Sequence, residues 1–318
     1  MELEAGHLGD NVKLVCADDT CTVCRITDGG GEGLMTMYPI FPGCTLVYND
    51  FHMSRCHSAF RRKTQLFCLD HCREGRIQWE RSPGQYVYLS AGDLLADCRE
   101  DGDRDFFFPL QHYHGAGLYV DLGYTDNGVL RLMDDFSVDL PALKKKLCTK
   151  NGCFVMRSAP QIDRIFSELY HLPDKVRRQY CRIKVMELFL FLDNLELPPG
   201  GEDRPYFYKS QVDKIQQMVA LQTADLTQWY TLDQLSAMYH YPITGMKQCF
   251  KGIYGCTMAQ YMKTYRMNTA ARLLRTTQLP IIEIAAAVGY ENPGKFSGAF
   301  RSCLGMTPSQ YRKALRDT

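Results

Sequence analysis

Removing the apolar positions from the stretch between Ile243 and Ile253 leaves Thr244, Gly245, Lys247, Gln248 and Lys251 on one helical face. The same operation near the end of the chain leaves Gly294, Lys295, Ser297, Gly298 and Arg301. Neither set contains a carboxylate. A helix face that meets only water mixes both signs of charge. A face that meets phosphate oxygens and base edges excludes acids. Both sets are therefore candidates for DNA recognition.

Other residues invite different chemistry. In "CADDTCTVC", Cys16, Cys21 and Cys24 offer half of a zinc site or a redox pair. No second CxxC or HxxxH completes them, although Cys68 and Cys72 could if they lay nearby, and free thiols are the plainer reading. His112 and His114, two apart on an expected strand, face one side of it. With Trp79, Tyr86 and Tyr88 they form the candidate effector-binding set, for which core packing is the competing explanation. A catalytic metal needs three or four converging ligands, and the histidines do not have that spacing. The expectation is a protein with no catalytic residues, no cofactor and no metal, with Cys16, Cys21 and Cys24 the only metal candidates. A zinc- or thiol-responsive regulator is the alternative.

The elements that must present the two acid-free faces are written twice. "FKGIYGCTMAQY" (Phe250–Tyr261) returns as "FRSCLGMTPSQY" (Phe300–Tyr311), and upstream "LDQLSAMYHY" returns as "IIEIAAAVGY". Each copy reads as two helices about a short turn, with units at about 231–254 and 281–304. Gly289 stands where the helix must reverse, and Asn292-Pro293 is an N-cap and first-turn pair. "MAQYMKTYRMNTAARLLRTT" between them reads as one continuous helix, and roughly twenty residues span about 30 Å. That is close to the ~34 Å separating successive major grooves on one face of B-DNA.

Bulk properties agree. From Gln222 to Thr318 there are 11 Lys/Arg and 5 Asp/Glu, whereas the rest of the chain holds 26 and 31. A basic C-terminal third on an acidic body suggests a polyanion-binding end. No apolar run reaches membrane-spanning length, and "MELEAGHLGD" is not a signal peptide, so no membrane association and a cytoplasmic location are expected. Fourteen spread cysteines then read as reduced thiols.

The first 135 residues read as strands and turns, including Gly75–Glu80 and Gln85–Ser90 about the turn Ser82–Gly84. Helices follow from Pro141. The one after Pro173 carries Val176, Ile183 and Leu190 seven apart, a face to be covered by the barrel or by a second copy of the chain. The expected fold is α+β and multidomain: a sensor β-barrel or sandwich at 1–138, a helical connector or dimerisation segment at 139–196, a linker at 197–207 and an all-α domain at 208–318.

The motifs "FKGIYGCTMAQYM", "YRMNTAARLLRTTQLPIIEIAAAVGYENPGKFSGAFR" and "GMTPSQYRK" resemble the AraC/XylS transcriptional regulators over about a third of the chain. The resemblance implies base-facing roles for Thr244, Lys247 and Gln248, with Lys251 near phosphate. In the second unit it implies them for Gly294, Lys295, Ser297 and Gly298, with Arg301 near phosphate. Pro242 and His240 depart from the family's usual cap and turn residues, and two glycines on the second face imply more backbone contact than base reading there. "CREGRIQWERSPGQYVYLSAGDLLAD" (Cys72–Asp97) resembles the cupin-like sensor domains of this family. The expected function is sequence-specific regulation, more often activation, with promoter DNA, RNA polymerase and a small-molecule effector as partners and a homodimer as the assembly. A cupin metalloenzyme with a DNA-binding tail is the lesser alternative.

Overall fold

The computed structural model describes residues 8–28, 30–60, 66–99, 102–124, 128–148, 153–157, 159–197 and 207–315. The chain divides into two units, Met1–Tyr206 and Phe207–Thr318. The linker expected at 197–207 lies, its end residues apart, outside the described residues.

Among the described residues, the first unit opens with strands β1 (Val12–Ala17), β2 (Thr22–Asp28), β3 (Gly31–Phe41), β4 (Cys44–His52), β5 (Arg55–Phe60), β6 (Leu66–Ser82), β7 (Gln85–Ser90), β8 (Leu94–Arg99), β9 (Gly102–Phe107) and β10 (Tyr113–Asp121). They pair antiparallel in the order β1-β2-β3-β4-β10-β6-β7. The 17-residue β6 belongs to both layers. Its first part pairs with β10 and β8, and its last part with β7 and β9, which also holds β5. The layers close a cupin-like barrel whose inside holds Cys24, Met37, Val47, Phe51, Trp79, Leu89, Phe108 and Tyr113.

Alternation along the strands gives the sheet a second apolar face. Leu46, Phe67, Leu69, Ala116, Leu118 and Val120 pack there against helices α1 (Gly128–Asp135), α2 (Leu140–Leu147), α3 (Pro160–Tyr170) and α4 (Arg177–Asp193). The expected hairpin between Gly75–Glu80 and Gln85–Ser90 is present, in register Trp79↔Val87. Three features differ from the expectation. Gly128–Asp135 is helical inside the stretch read as strands and turns. After Pro141 the chain returns to the sheet, where β11 (Cys153–Met156) pairs with β8. The buried face of α4 is Cys181, Val185, Leu188, Phe189 and Leu192, so the Val176–Ile183 stripe faces outward and Ile183 is 58% exposed. Because the second half of α4 is apolar nearly all round, its pattern does not select the buried side. No helix among the described residues is long and apolar enough to cross a membrane.

After the two-residue strand Phe207–Tyr208, the described part of the second unit is helical: α5 (Lys209–Ala224), α6 (Leu232–Tyr239), α7 (Ile243–Tyr254), α8 (Met258–Thr276), α9 (Ile281–Ala287), α10 (Pro293–Leu304) and α11 (Pro308–Ala314). Helix α8 packs against α7 on one side and α9, α10 and α11 on the other. Its Met267, Ala270, Ala271 and Leu274 share a core with Ile284, Ala285, Val288, Phe296 and Phe300.

Candidate nucleic-acid interface

The repeated phrase builds the same corner twice. Helix α7 ends at Gly255 with φ 78°, and α10 ends at Gly305 with φ 77°, each closing a helix in the left-handed conformation that glycine adopts cheaply. The Thr257 hydroxyl then accepts from the Gln260 N–H to start α8, and the Thr307 hydroxyl accepts from the Gln310 N–H to start α11. The new helix folds its tyrosine back onto the old helix. Tyr261 meets Phe250 edge-on at 5.7 Å and 75°, and Tyr311 meets Phe300 at 5.6 Å and 76°. Phe, Gly, Thr, Gln and Tyr recur because each fixes one joint of this corner.

The turns upstream are also equivalent but differ in chemistry. His240 reverses the chain at φ 47°, the place taken in the second unit by Gly289 at φ 79°. In both, the following tyrosine N–H returns to the helix, Tyr241 to Ser236 O and Tyr290 to Ala285 O. Asn292 caps α10 by accepting from the Lys295 N–H at 2.9 Å, whereas Pro242 before α7 provides no side-chain cap.

These elements bury Met246, Cys249, Phe250 and Ile253 of α7, and Phe296 and Phe300 of α10. What remains outside is the pair of faces read from the sequence. Thr244, Lys247, Gln248 and Lys251 are exposed, as are Gly294, Lys295, Gly298 and Arg301, while Ser297 is half-buried. A side chain at Gly298 would meet open space, so the helix surface there is bare backbone. The connector α8 is 19 residues, about 28 Å of helix at 1.5 Å per residue.

One residue behind the interface was missed by sequence reading. Arg266 of α8 is 2% exposed, and burial holds its pKa below the usual arginine value. Nothing in its residue type marks it as buried. Only its place in the Met262–Met267–Ala270 periodicity could have done so.

The candidate effector residues do not come together. Trp79 lines a barrel cavity of about 140 Å³ with Phe51, Phe106, Phe108, Tyr113 and Tyr119. Tyr86 and Tyr88 alternate with Val87 and Leu89, which face the barrel core, and so lie on the other side of β7. His112 and His114 flank Tyr113, which turns inward, and lie on the outer wall. A second cavity of about 230 Å³ opens on that side, lined by Tyr38, Tyr48, Arg73, His114, Tyr170 and Arg177. Cys16, Cys21 and Cys24 do not form a ligand set either: Cys24 is buried in the barrel core, where burial raises its thiol pKa, while Cys16 is exposed. Among the described residues the group whose ligand atoms converge is Asp50, His52 and His114.

The helix-turn-helix domain model matches residues 235–314. The uncharacterized HTH-type transcriptional regulator YisR of Bacillus subtilis (strain 168) is 39% identical over 83 residues, covering 26% of this chain and 29% of YisR, so the chain spans under a third of that relative. The HTH-type transcriptional activator AarP of Providencia stuartii is 32% identical over 94 residues, covering 30% of this chain and 68% of AarP. Among solved structures, the DNA-binding domain of AdpA in complex with a target DNA is 28% identical over 33% of this chain and 94% of that one, at a TM-score of 0.32. With two equivalent helix-turn-helix units in the fold and two-thirds of AarP matched, the chain belongs to the AraC/XylS-type helix-turn-helix regulators of transcription.

Proposed function

We propose that α7 and α10 enter successive major grooves on one face of promoter DNA, held in step by α8. The observation that carries this reading is the duplication itself: two equivalent corners each present an exposed, carboxylate-free face. Thr244, Lys247, Gln248, Gly294, Lys295, Ser297 and Gly298 would meet base edges, with Lys251 and Arg301 at phosphates. The test is a footprint on a site selected from random duplexes. Two protected segments one helical turn apart are expected, and inserting about 5 base pairs between them, half a turn, should abolish binding by rotating one segment away. A single protected segment insensitive to the insertion would refute the reading.

In the same proposal residues 1–138 sense a small molecule, 139–196 support dimerisation, and 208–318 read the DNA. The barrel cavity of about 140 Å³ suits a small, largely apolar effector. The outward stripe of Val176, just before α4, with Tyr180 and Ile183 on it supports pairing with a second copy. Activation through RNA polymerase is the mode we infer, in line with the activator named among the relatives. Differential affinity of effector for DNA-competent and incompetent states would then set the regulatory response.

A further inference from the structure

We propose that Asp50, His52 and His114 bind a divalent first-row transition ion of the zinc class on the outer wall of the barrel. Strand pairing makes the set. His114 of β10 lies directly opposite Asp50 of β4, and the two-residue strand period puts His52 on the same side as Asp50. The intervening Phe51 and Tyr113 turn into the barrel cavity, so the three polar side chains share the outer surface.

Their ligand atoms converge. Asp50 Oδ1 stands 2.9 Å from His52 Nε2 and 3.4 Å from His114 Nδ1, and all three ligand atoms lie within 4.8 Å of one another. Ligands bound tetrahedrally at about 2.0–2.2 Å sit roughly 3.4 Å apart, so an ion between them needs only a small separation of the rings. One carboxylate oxygen facing two imidazole nitrogens brings together donor atoms of the kinds a zinc-class ion takes.

The surroundings favour a cation. Glu32 is the cross-strand partner of His52, and Glu74 that of His114. Each engages an arginine loosely, Arg25 at 3.9 Å and Arg73 at 3.7 Å. His112 stands beside His114 with ring centroids 6.0 Å apart, and its Nδ1 lies 3.0 Å from Leu110 O. Donation from that nitrogen leaves Nε2 as the acceptor nitrogen of the His112 ring. Two imidazoles and one carboxylate select zinc, nickel, cobalt or copper over magnesium and calcium, which take all-oxygen sites.

The experiment uses the untagged full-length chain, stripped with EDTA, dialysed and titrated with Co²⁺ and then Zn²⁺. One equivalent of cobalt should bind with visible d–d absorption and without thiolate-to-metal charge transfer, and zinc should displace it. His52→Ala and His114→Ala should each weaken binding by about tenfold or more, while Cys21→Ser with Cys24→Ser should leave it unchanged. His52 is exposed and His114 half-buried, and circular dichroism melts would verify that the variants fold. Thiolate charge-transfer bands, binding indifferent to His52 and His114, equal affinity for Mg²⁺, or no cobalt bound would each overturn the proposal.

Discussion

The guanidinium of Arg266 lies 3.6 Å from the centre of the Trp229 ring, inside the second unit. Its Nη2 also donates to Gln228 O at 3.1 Å, and the Trp229 indole N–H donates to Gly289 O at 3.1 Å. Helix α8, the segment before α6 and the turn after α9 are thereby tied at one point. Arg266→Ala should destabilise the unit by about 2–4 kcal/mol, through lost packing, a lost cation–π contact and an orphaned carbonyl. Arg266→Lys should recover only part of this, because an ammonium cannot stack as a planar fork does. Urea unfolding followed by fluorescence is the measurement, Trp229 being one of two tryptophans in the chain.

Two glycines in the second unit should respond to alanine with opposite signs. At Gly289 the backbone is at φ 79° and an added Cβ would run into the Leu226 carbonyl oxygen. At Gly298 the backbone is helical and the added methyl meets open space. Gly289→Ala should lower the melting temperature, while Gly298→Ala should raise stability by about 0.5–1 kcal/mol. Because Gly298 belongs to the proposed reading face, the stabilised variant is also expected to change DNA preference.

Lys247 and Arg301 should separate the two modes of DNA contact. Lys247→Ala is expected to lower discrimination against single-base variants of the selected site by about 1–3 kcal/mol. Arg301→Ala should weaken binding to all sequences alike and reduce the salt dependence by about one counterion. Equilibrium binding at several salt concentrations, on matched and mismatched duplexes, distinguishes them.

His71 should make the first unit sensitive to acid. It is buried between sheet and helix layer, stacked on Phe166 at 4.3 Å with Nδ1 3.2 Å from the Tyr170 hydroxyl. Burial pushes its pKa down to about 4, against the smaller upward pull of Asp163 and Asp93. Between pH ~6.5 and ~4 the unfolded chain therefore takes up a proton that the folded chain refuses. The contribution is fully present above pH ~6.5 and is lost as pH falls toward 4. His71→Gln should flatten that part of the stability–pH curve, as read by denaturant midpoints at pH 7.0 and 4.5 (roughly, values set either side of the unfolded and folded titrations).

Ile183 should affect assembly rather than folding. Being largely exposed, it can become Glu with little effect on the thermal stability of a single chain. If the α4 stripe pairs two copies, Ile183→Glu should lower the mass seen by sedimentation equilibrium, and a wild-type chain already monomeric would remove that part of the proposal.

The helix-turn-helix half was legible because its determinants are local. Thr257 and Thr307 cap helices a few residues away, Gly255 and Gly305 end them, and the apolar positions repeat at helical spacing. The barrel half was legible only where strands adjoin in sequence, as in the β6–β7 hairpin. Strand β11 was missed because its partner β8 lies far upstream. Lys184 illustrates a further limit. Its stem is buried while its ammonium sits 2.6 Å from Glu168 and 2.7 Å from Glu187, an arrangement that residue type alone reads as exposed. The convergence of Asp50, His52 and His114 was hidden for the same reason as β11: neither "DFH" nor "HYH" carries the pairing of β4 with β10.

That pairing has a mechanical corollary. Along β10, Tyr119 borders the cavity while its neighbours Leu118 and Val120 seat the helices, and along β4, Asn49 borders the cavity while Tyr48 donates to Leu169 O of α3 at 2.8 Å. The partition separating the barrel's contents from the bed of α3 and α4 is one polypeptide thick. Push and response there are a single peptide bond apart, so a guest of the kind proposed above, by shifting one row of side chains, would tilt the next without any intermediary.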